Sequence, residues 1–283
     1  MPRVFLTECP RDAMQGIKPF IPTQVKVKYL QSLLRVGFDV LDFGSFVSHK
    51  AVPQMRDTHE VLQQLDLSDT KTKLLAIVAN SRGAAEALSY PQIDFLGYPF
   101  SISENFQMRN TNKTIDDSTA VLKDIATAVS LKDKELVVYL SMGFGNPYGD
   151  PWSPELVADW VEKLTQMGIR RISLSDTVGI AQSETIKTLF EHLLEKHPQV
   201  FFGAHLHAKP LEAVSKIQAA FDGGCRAFDS AIRGLGGCPM AKDELTGNVP
   251  TEKLISFLTS KKADFKLNTL HFESAYNASL QWY

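Results

Sequence analysis

Eight short runs rich in apolar and β-branched residues punctuate the chain, at 4–8, 40–43, 73–78, 93–98, 136–140, 172–175, 201–205 and 227–231. Each is too short for a helix and is followed by polar or glycine-containing residues. Between them lie longer stretches, among them 23–36, 115–130, 154–167, 184–195 and 211–221, whose apolar residues recur at three- and four-residue spacing. That is the period of an amphipathic helix. Strands alternating with helices make a parallel sheet, and eight alternations predict a closed (β/α)8 TIM barrel formed by 1–283 as one domain, α/β barrels of roughly 250 residues being common. Helix punctuation agrees: Ser153 precedes Pro154 and Glu155 as an N-cap with proline in the first turn, and Gly168 marks a left-handed stop. Two further helical stretches at 251–259 and 268–280 are expected as extra C-terminal helices, covering an end of the barrel or joining a subunit contact.

At 44% hydrophobic and 22% charged residues the composition is that of a globular protein with material for a large core. The net charge of -2, with no dense Lys/Arg block, lacks the footprint of a nucleic-acid or anionic-membrane binder. A small-molecule partner is expected instead. The opening residues MPRVFLTECPRD lack the charged and apolar regions of a signal peptide, and no apolar stretch reaches the ~20 residues of a membrane span, so a cytoplasmic location is expected. Cys9, Cys225 and Cys238 form no CxxC pair and are expected as free thiols.

Ligands of such barrels bind where strands end, so reactive residues there carry the most weight. The first strand runs into Glu8, Cys9, Pro10, Arg11 and Asp12, which puts a carboxylate and a guanidinium at the mouth. The seventh ends in Ala204, His205, Leu206 and His207; residues two apart on a strand share a face, so the two imidazoles converge. With Asp12 and an amide they would form a mixed nitrogen and oxygen site for a divalent cation. A bare HxH also arises when a packed and a surface histidine fall together. Asp42 and Asp176 end the second and sixth runs and aim at the same face or cap the following helices. After the eighth run comes Gly234, Leu235, Gly236, Gly237, Cys238, Pro239 and Met240, then Gly247 and Asn248. Cys238 on that loop could transfer a proton, or pack as a small apolar residue. Cys9, Cys225 and the remaining histidines read as structural.

The segments ECPRDAMQ (8–15), SFVSHKAVPQM (45–55), ISLSDTVG (172–179), AHLH (204–207) and GLGGCPMAKDELTGN (234–248) together give the chain a resemblance, over nearly its whole length, to the 3-hydroxy-3-methylglutaryl-CoA lyase family of barrel metallolyases. The resemblance implies a divalent cation, Mg2+ or Mn2+, held by Asp12, His205, His207 and Asn248. It implies Arg11 at a developing enolate oxygen, Cys238 in proton transfer, and Glu8, Asp42, Asp176 and Glu252 as further catalytic or supporting groups. Ser45 and Ser173 lie in the matching segments and are implied in binding an acyl-CoA substrate. A homodimer and a place in leucine degradation and ketone-body formation follow from the same likeness. The cleavage needs a base for the tertiary hydroxyl proton, with His205, Asp12 and Asp42 as candidates, a cation for the enolate, and an acid for the carbanion.

The chain departs from the family pattern in four places. Asp42 stands where glutamate is usual, Ala13 where glycine is, Ala208-Lys209 where an aspartate follows the second histidine, and Met240, Ala241, Lys242, Asp243 and Glu244 where smaller, less charged residues are usual. Other readings are a 4-hydroxy-2-oxo acid aldolase or an acyl-CoA condensing enzyme on the same scaffold, and a catalytically impaired barrel with a binding role. The run Gly236, Gly237, Cys238, Pro239 favours the lyase.

Overall fold

The structure is a computed structural model and describes residues 2–237 and 246–282. Eight parallel strands, β1 (Phe5–Glu8), β2 (Val40–Ser45), β3 (Lys73–Ile77), β4 (Ile93–Ser101), β5 (Glu135–Ser141), β6 (Arg171–Asp176), β7 (Phe201–Ala208) and β8 (Ala227–Ser230), pair in chain order. β8 also pairs with β1, so the sheet closes into the expected barrel. Each of these eight strands falls on one of the eight expected runs.

Helices α1 (Pro10–Gln15), α2 (Thr23–Val36), α3 (Thr58–Gln64), α4 (Ser81–Leu88), α5 (Glu104–Thr111) and α6 (Ile115–Ser130) lie in the first half. In the second half come α7 (Pro154–Gln166), α8 (Ser183–Lys196), α9 (Ala213–Asp222), α10 (Thr251–Ser260) and α11 (Thr269–Ser279). The caps read from sequence are present: Ser153 Oγ accepts from Leu156 N at 3.1 Å, and Gly168 has φ +85°. Among the C-terminal helices, α10 packs beside α9 and α11 lies on α2, anchored where Asn268 N donates to Val36 O at 2.8 Å. No helix among the described residues is long and apolar enough to cross a membrane.

Strand alternation sorts the core into two regions. Leu74 and Ala76 of β3 join the large core between sheet and helices, while Leu75 and Ile77 meet Phe95 and Tyr139 inside the barrel. Buried polar side chains such as Asp42, Asp176, His205 and His207 lie toward the C-terminal ends of the strands, where burial of unpaired polar groups is costly.

Candidate active site

The chain leaves β1 directly into α1, whose first turn contains Arg11 and Asp12. The six-residue helix is too short to show a period in the sequence, but it turns both side chains toward the barrel mouth. Arg11 is held from two sides. Its Nε donates to both oxygens of Asp42 at 3.2 and 3.0 Å, and its Nη2 to Asp42 Oδ2 at 2.6 Å. Nη1 donates to Asp12 Oδ1 at 3.0 Å and to Gln15 Oε1 at 2.9 Å. A register shift in β2 between Asp42 and Gly44 marks a bulge beside that carboxylate, the kind of irregularity that re-aims a side chain. The shorter arm of Asp42 therefore still makes a bidentate pair with Arg11.

His205 and His207 lie on the same face of β7, with ring centroids 5.2 Å apart. His207 Nδ1 lies 2.9 Å from Thr177 O; a carbonyl only accepts, so this nitrogen carries the proton. Nε2 is thereby the lone-pair nitrogen, and it is buried without a hydrogen-bond partner. Thr177 O orients this ring, the task an aspartate at position 208 would have been expected to share. His205 Nδ1 faces Asp229 Oδ2 at 3.1 Å, and its ring meets Tyr139 edge-on at 5.4 Å.

One ligand atom each from Asp12, His205 and His207 lies within 4.8 Å of the others, and all three residues are buried. A short antiparallel strand, β9 (Gly247–Asn248), pairs with β7 so that Asn248 sits opposite His207. Asn248 Nδ2 donates to Asp12 Oδ2 at 2.6 Å and to Leu235 O at 2.8 Å. The glycine-rich segment must pass close to do this. A Cβ on Gly236, whose φ is +89°, would stand 2.6 Å from Asp12 O and 2.8 Å from Asn248 Nδ2, so only glycine fits.

The electrostatics suit a cation. Burial would raise the Asp12 carboxyl, but Arg11 and the two histidines hold it down at about 2. Burial pushes His207 down to about 4, so at neutral pH the pair is an anion beside a neutral imidazole. His205 is raised, its desolvation outweighed by the Asp229 hydrogen bond and charge. Burial pushes Asp42 up to about 6 against the pull of Arg11. The donor set and the orphaned His207 Nε2 fit a divalent cation with nitrogen and oxygen ligands.

Arg11, Asp12, His205 and His207 open into a cavity of about 210 Å³ that Ser45, Tyr139 and Asn110 also border. A larger depression of about 880 Å³, bordered by Arg109, Tyr148, Lys209 and Lys216, is lined by none of these cation-facing side chains.

Other expected residues stand further back. Glu8 accepts from Ile232 N at 2.8 Å and Thr251 Oγ1 at 2.6 Å, which ties β1 to the chain after β8; burial pushes it up to about 8. Glu252 accepts from Arg233 N at 3.0 Å at the foot of the glycine-rich segment. Asp176 pairs with the buried Lys216 at 2.7 Å, and the same Nζ reaches His207 O at 3.0 Å. Ser45 Oγ donates to Ile77 O at 3.2 Å. Ser173 lies deeper, its Oγ 3.2 Å from Asp229 Oδ2. Cys238 lies outside the described residues.

Sequence reasoning missed Asp229, Gln15, Tyr139 and Lys216. Asp229 lies in the eighth run, and the fold makes it the β8 register partner of His205. Cys9, read as structural from its neighbours in sequence, is brought by the fold beside His205 and Asp229.

Fold and site together define a class, the (β/α)8-barrel enzymes whose working residues gather at the C-terminal ends of the strands. Comparison with known proteins narrows it. The chain belongs to the HMGL-like family, whose model matches residues 4–278, and it is a carbon-carbon lyase. It is 32% identical over 249 residues to the cytoplasmic 3-hydroxy-3-methylglutaryl-CoA lyase of Rattus norvegicus, covering 88% of this chain and 72% of that protein. It is 32% identical over 259 residues to the hydroxymethylglutaryl-CoA lyase YngG of Bacillus subtilis, covering 92% and 85%. Among solved structures, an HMG-CoA lyase of Acinetobacter baumannii in complex with coenzyme A and 3-methylmalate superposes with a TM-score of 0.91 at 27% identity, covering 99% of this chain and 91% of that one. The HMG-CoA lyase of Brucella melitensis superposes with a TM-score of 0.90 at 28% identity, covering 99% of both.

Proposed function

We propose that this chain cleaves 3-hydroxy-3-methylglutaryl-CoA, or a close hydroxyacyl-CoA, to acetyl-CoA and acetoacetate with the help of Mg2+ or Mn2+. The observation that carries the reading is the buried Asp12, His205 and His207 cluster with its unpartnered His207 Nε2, opening on the same cavity as Arg11. The relatives named above, and the coenzyme A and 3-methylmalate in one of the matching structures, support the acyl-CoA.

Asp12, His205 and His207 would hold the cation, with Asn248 contributing its amide oxygen. When bound, such a cation lowers the pKa of a hydroxyl and offsets negative charge on a carbonyl oxygen. Four of the five N–H donors of Arg11 are engaged by Asp42, Asp12 and Gln15, which fixes the guanidinium and leaves one N–H on Nη2 for a thioester oxygen. A fixed donor aimed at developing charge in a dry site is an effective catalytic element. The tertiary hydroxyl loses its proton to a base drawn from His205, Asp12 and Asp42; His205 and Asp12 border the cavity, while both oxygens of Asp42 accept from Arg11. The carbon-carbon bond then breaks, the hydroxyl carbon becomes the ketone of acetoacetate, and the bonding pair becomes the enolate of acetyl-CoA. Protonation of that enolate carbon by Cys238 completes acetyl-CoA. Glu8, Glu252 and the Asp176 and Lys216 pair act by position, holding the glycine-rich segment and the β7 backbone.

The test is acetoacetate release from 3-hydroxy-3-methylglutaryl-CoA by purified protein with Mn2+. Metal-dependent release that is lost in Cys238→Ala supports the reading. Protein with Mn2+ bound that releases no acetoacetate overturns the substrate.

A further inference from the structure

Directly beneath the proposed cation site the barrel interior holds a second cluster. Cys9 Sγ, a ring nitrogen of His205 and a carboxylate oxygen of Asp229 lie within 4.8 Å of one another. The thiol is fully buried, and the contact it makes, to Thr7 O at 4.0 Å, is at the outer limit for sulfur. Below it a cavity of about 60 Å³, bordered by Asp229, Ser173 and Tyr139, is large enough for a water.

We propose that Cys9, His205 and Asp229 form a second cation site, selective for thiophilic divalent ions such as Zn2+ or Cd2+, and that it competes with the Asp12, His205 and His207 set for His205. The chemistry of the donors separates the two sets. Thiolate sulfur favours soft ions, whereas the carboxylate and amide oxygens above favour Mg2+ and Mn2+. Zinc bonds of about 2.3 Å to sulfur and about 2.0 to 2.2 Å to nitrogen and oxygen put ligand atoms of a tetrahedral site roughly 3.3 to 3.7 Å apart. The 4.8 Å envelope thus needs only small side-chain adjustments to close on an ion. A water from the cavity below supplies the fourth donor. Binding displaces the Cys9 thiol proton to solvent. Because His205 belongs to both sets, an ion in the lower one withdraws a ligand from the upper one, so a thiophilic metal would inhibit the enzyme from inside the barrel. The competition rests on the proposed upper site; the lower site does not.

The test uses protein carrying Cys225→Ser and Cys238→Ser, which leaves Cys9 as the sole thiol of the three cysteines. Cd2+ is titrated while the ultraviolet thiolate-to-cadmium charge-transfer band is followed. One Cd2+ per chain with that band is expected, with loss of the band on adding Cys9→Ser or Cys9→Ala. Asp229→Asn should weaken the band titration at least tenfold. Cd2+ binding without the band, or no binding, overturns the site whatever the variants do. Saturation with Mn2+, followed by electron paramagnetic resonance, should raise the Cd2+ needed at least tenfold. An unchanged Cd2+ titration in Mn2+-loaded protein overturns the competition. Failure of Mn2+ to bind overturns both the competition and the upper site, while the band alone decides the lower one.

Discussion

Arg11 is the side chain on which the site turns, because Asp42 and Asp12 hold its guanidinium from two sides. Burial alone would favour losing its charge, but the two carboxylates raise its pKa. Asp42→Asn keeps the shape and removes the anion that fixes Arg11; we expect kcat to fall by about 100-fold or more, the scale of losing a fixed donor at developing charge, with KM changed far less, as measured by steady-state kinetics. His207→Ala should weaken Mn2+ by more than about 100-fold by calorimetry, since even partners outside the ligand shell are worth about 10 to 100-fold. Glu8 makes a stability prediction. Burial pushes its pKa above the ordinary 4.5 to about 8, so the folded state holds this proton more tightly than the unfolded chain does. That contribution is fully present below about pH 4.5 and is lost as pH rises through about 8, at about 1.4 kcal/mol per pKa unit of difference. Urea unfolding across this window should show wild-type stability falling more steeply with pH than that of Glu8→Gln; parallel profiles would contradict it.

Elements position these side chains by register. β9 exists because Gly247 and Asn248 lie against His207 and Ala208, and the glycine-rich segment reaches there only through positive φ angles. Gly236→Ala would press a Cβ against Asp12 O in a conformation that costs of order 1 to 3 kcal/mol for other residues. It is expected to lower both Tm and Mn2+ affinity, whereas a surface glycine such as Gly16, with open space around it, should tolerate alanine. The eight strands were legible because each is an apolar run of the right length, and His205 and His207 because strand alternation puts them on one face. Asp12 and Arg11 were legible as residues but not as part of a helix, since α1 is shorter than two turns. Asp229 escaped notice because its meaning lies in cross-strand register with His205, which a single strand's pattern does not contain. Thr177 contributes a backbone carbonyl, which no side-chain motif can announce. The residues 238–245 lie outside the described structure, so the role of Cys238 rests on the sequence resemblance.

At the scale of the whole molecule the barrel works as a rigid frame that brings residues 12, 205, 207 and 248 together from across the chain. A cation that binds the folded state only should stabilise it by about 2.7 kcal/mol at a concentration 100 times its Kd. Mn2+ should therefore raise Tm, EDTA should reverse the rise, and Asp12→Asn should show neither. The most direct measurement is a titration of Mn2+ into metal-stripped protein with 3-hydroxy-3-methylglutaryl-CoA, following bound metal and acetoacetate in one sample. The expected result is acetoacetate release rising in step with occupancy and levelling off at one Mn2+ per chain, with both lost in His207→Ala. Stoichiometric binding without acetoacetate, or release independent of added metal, would contradict the account.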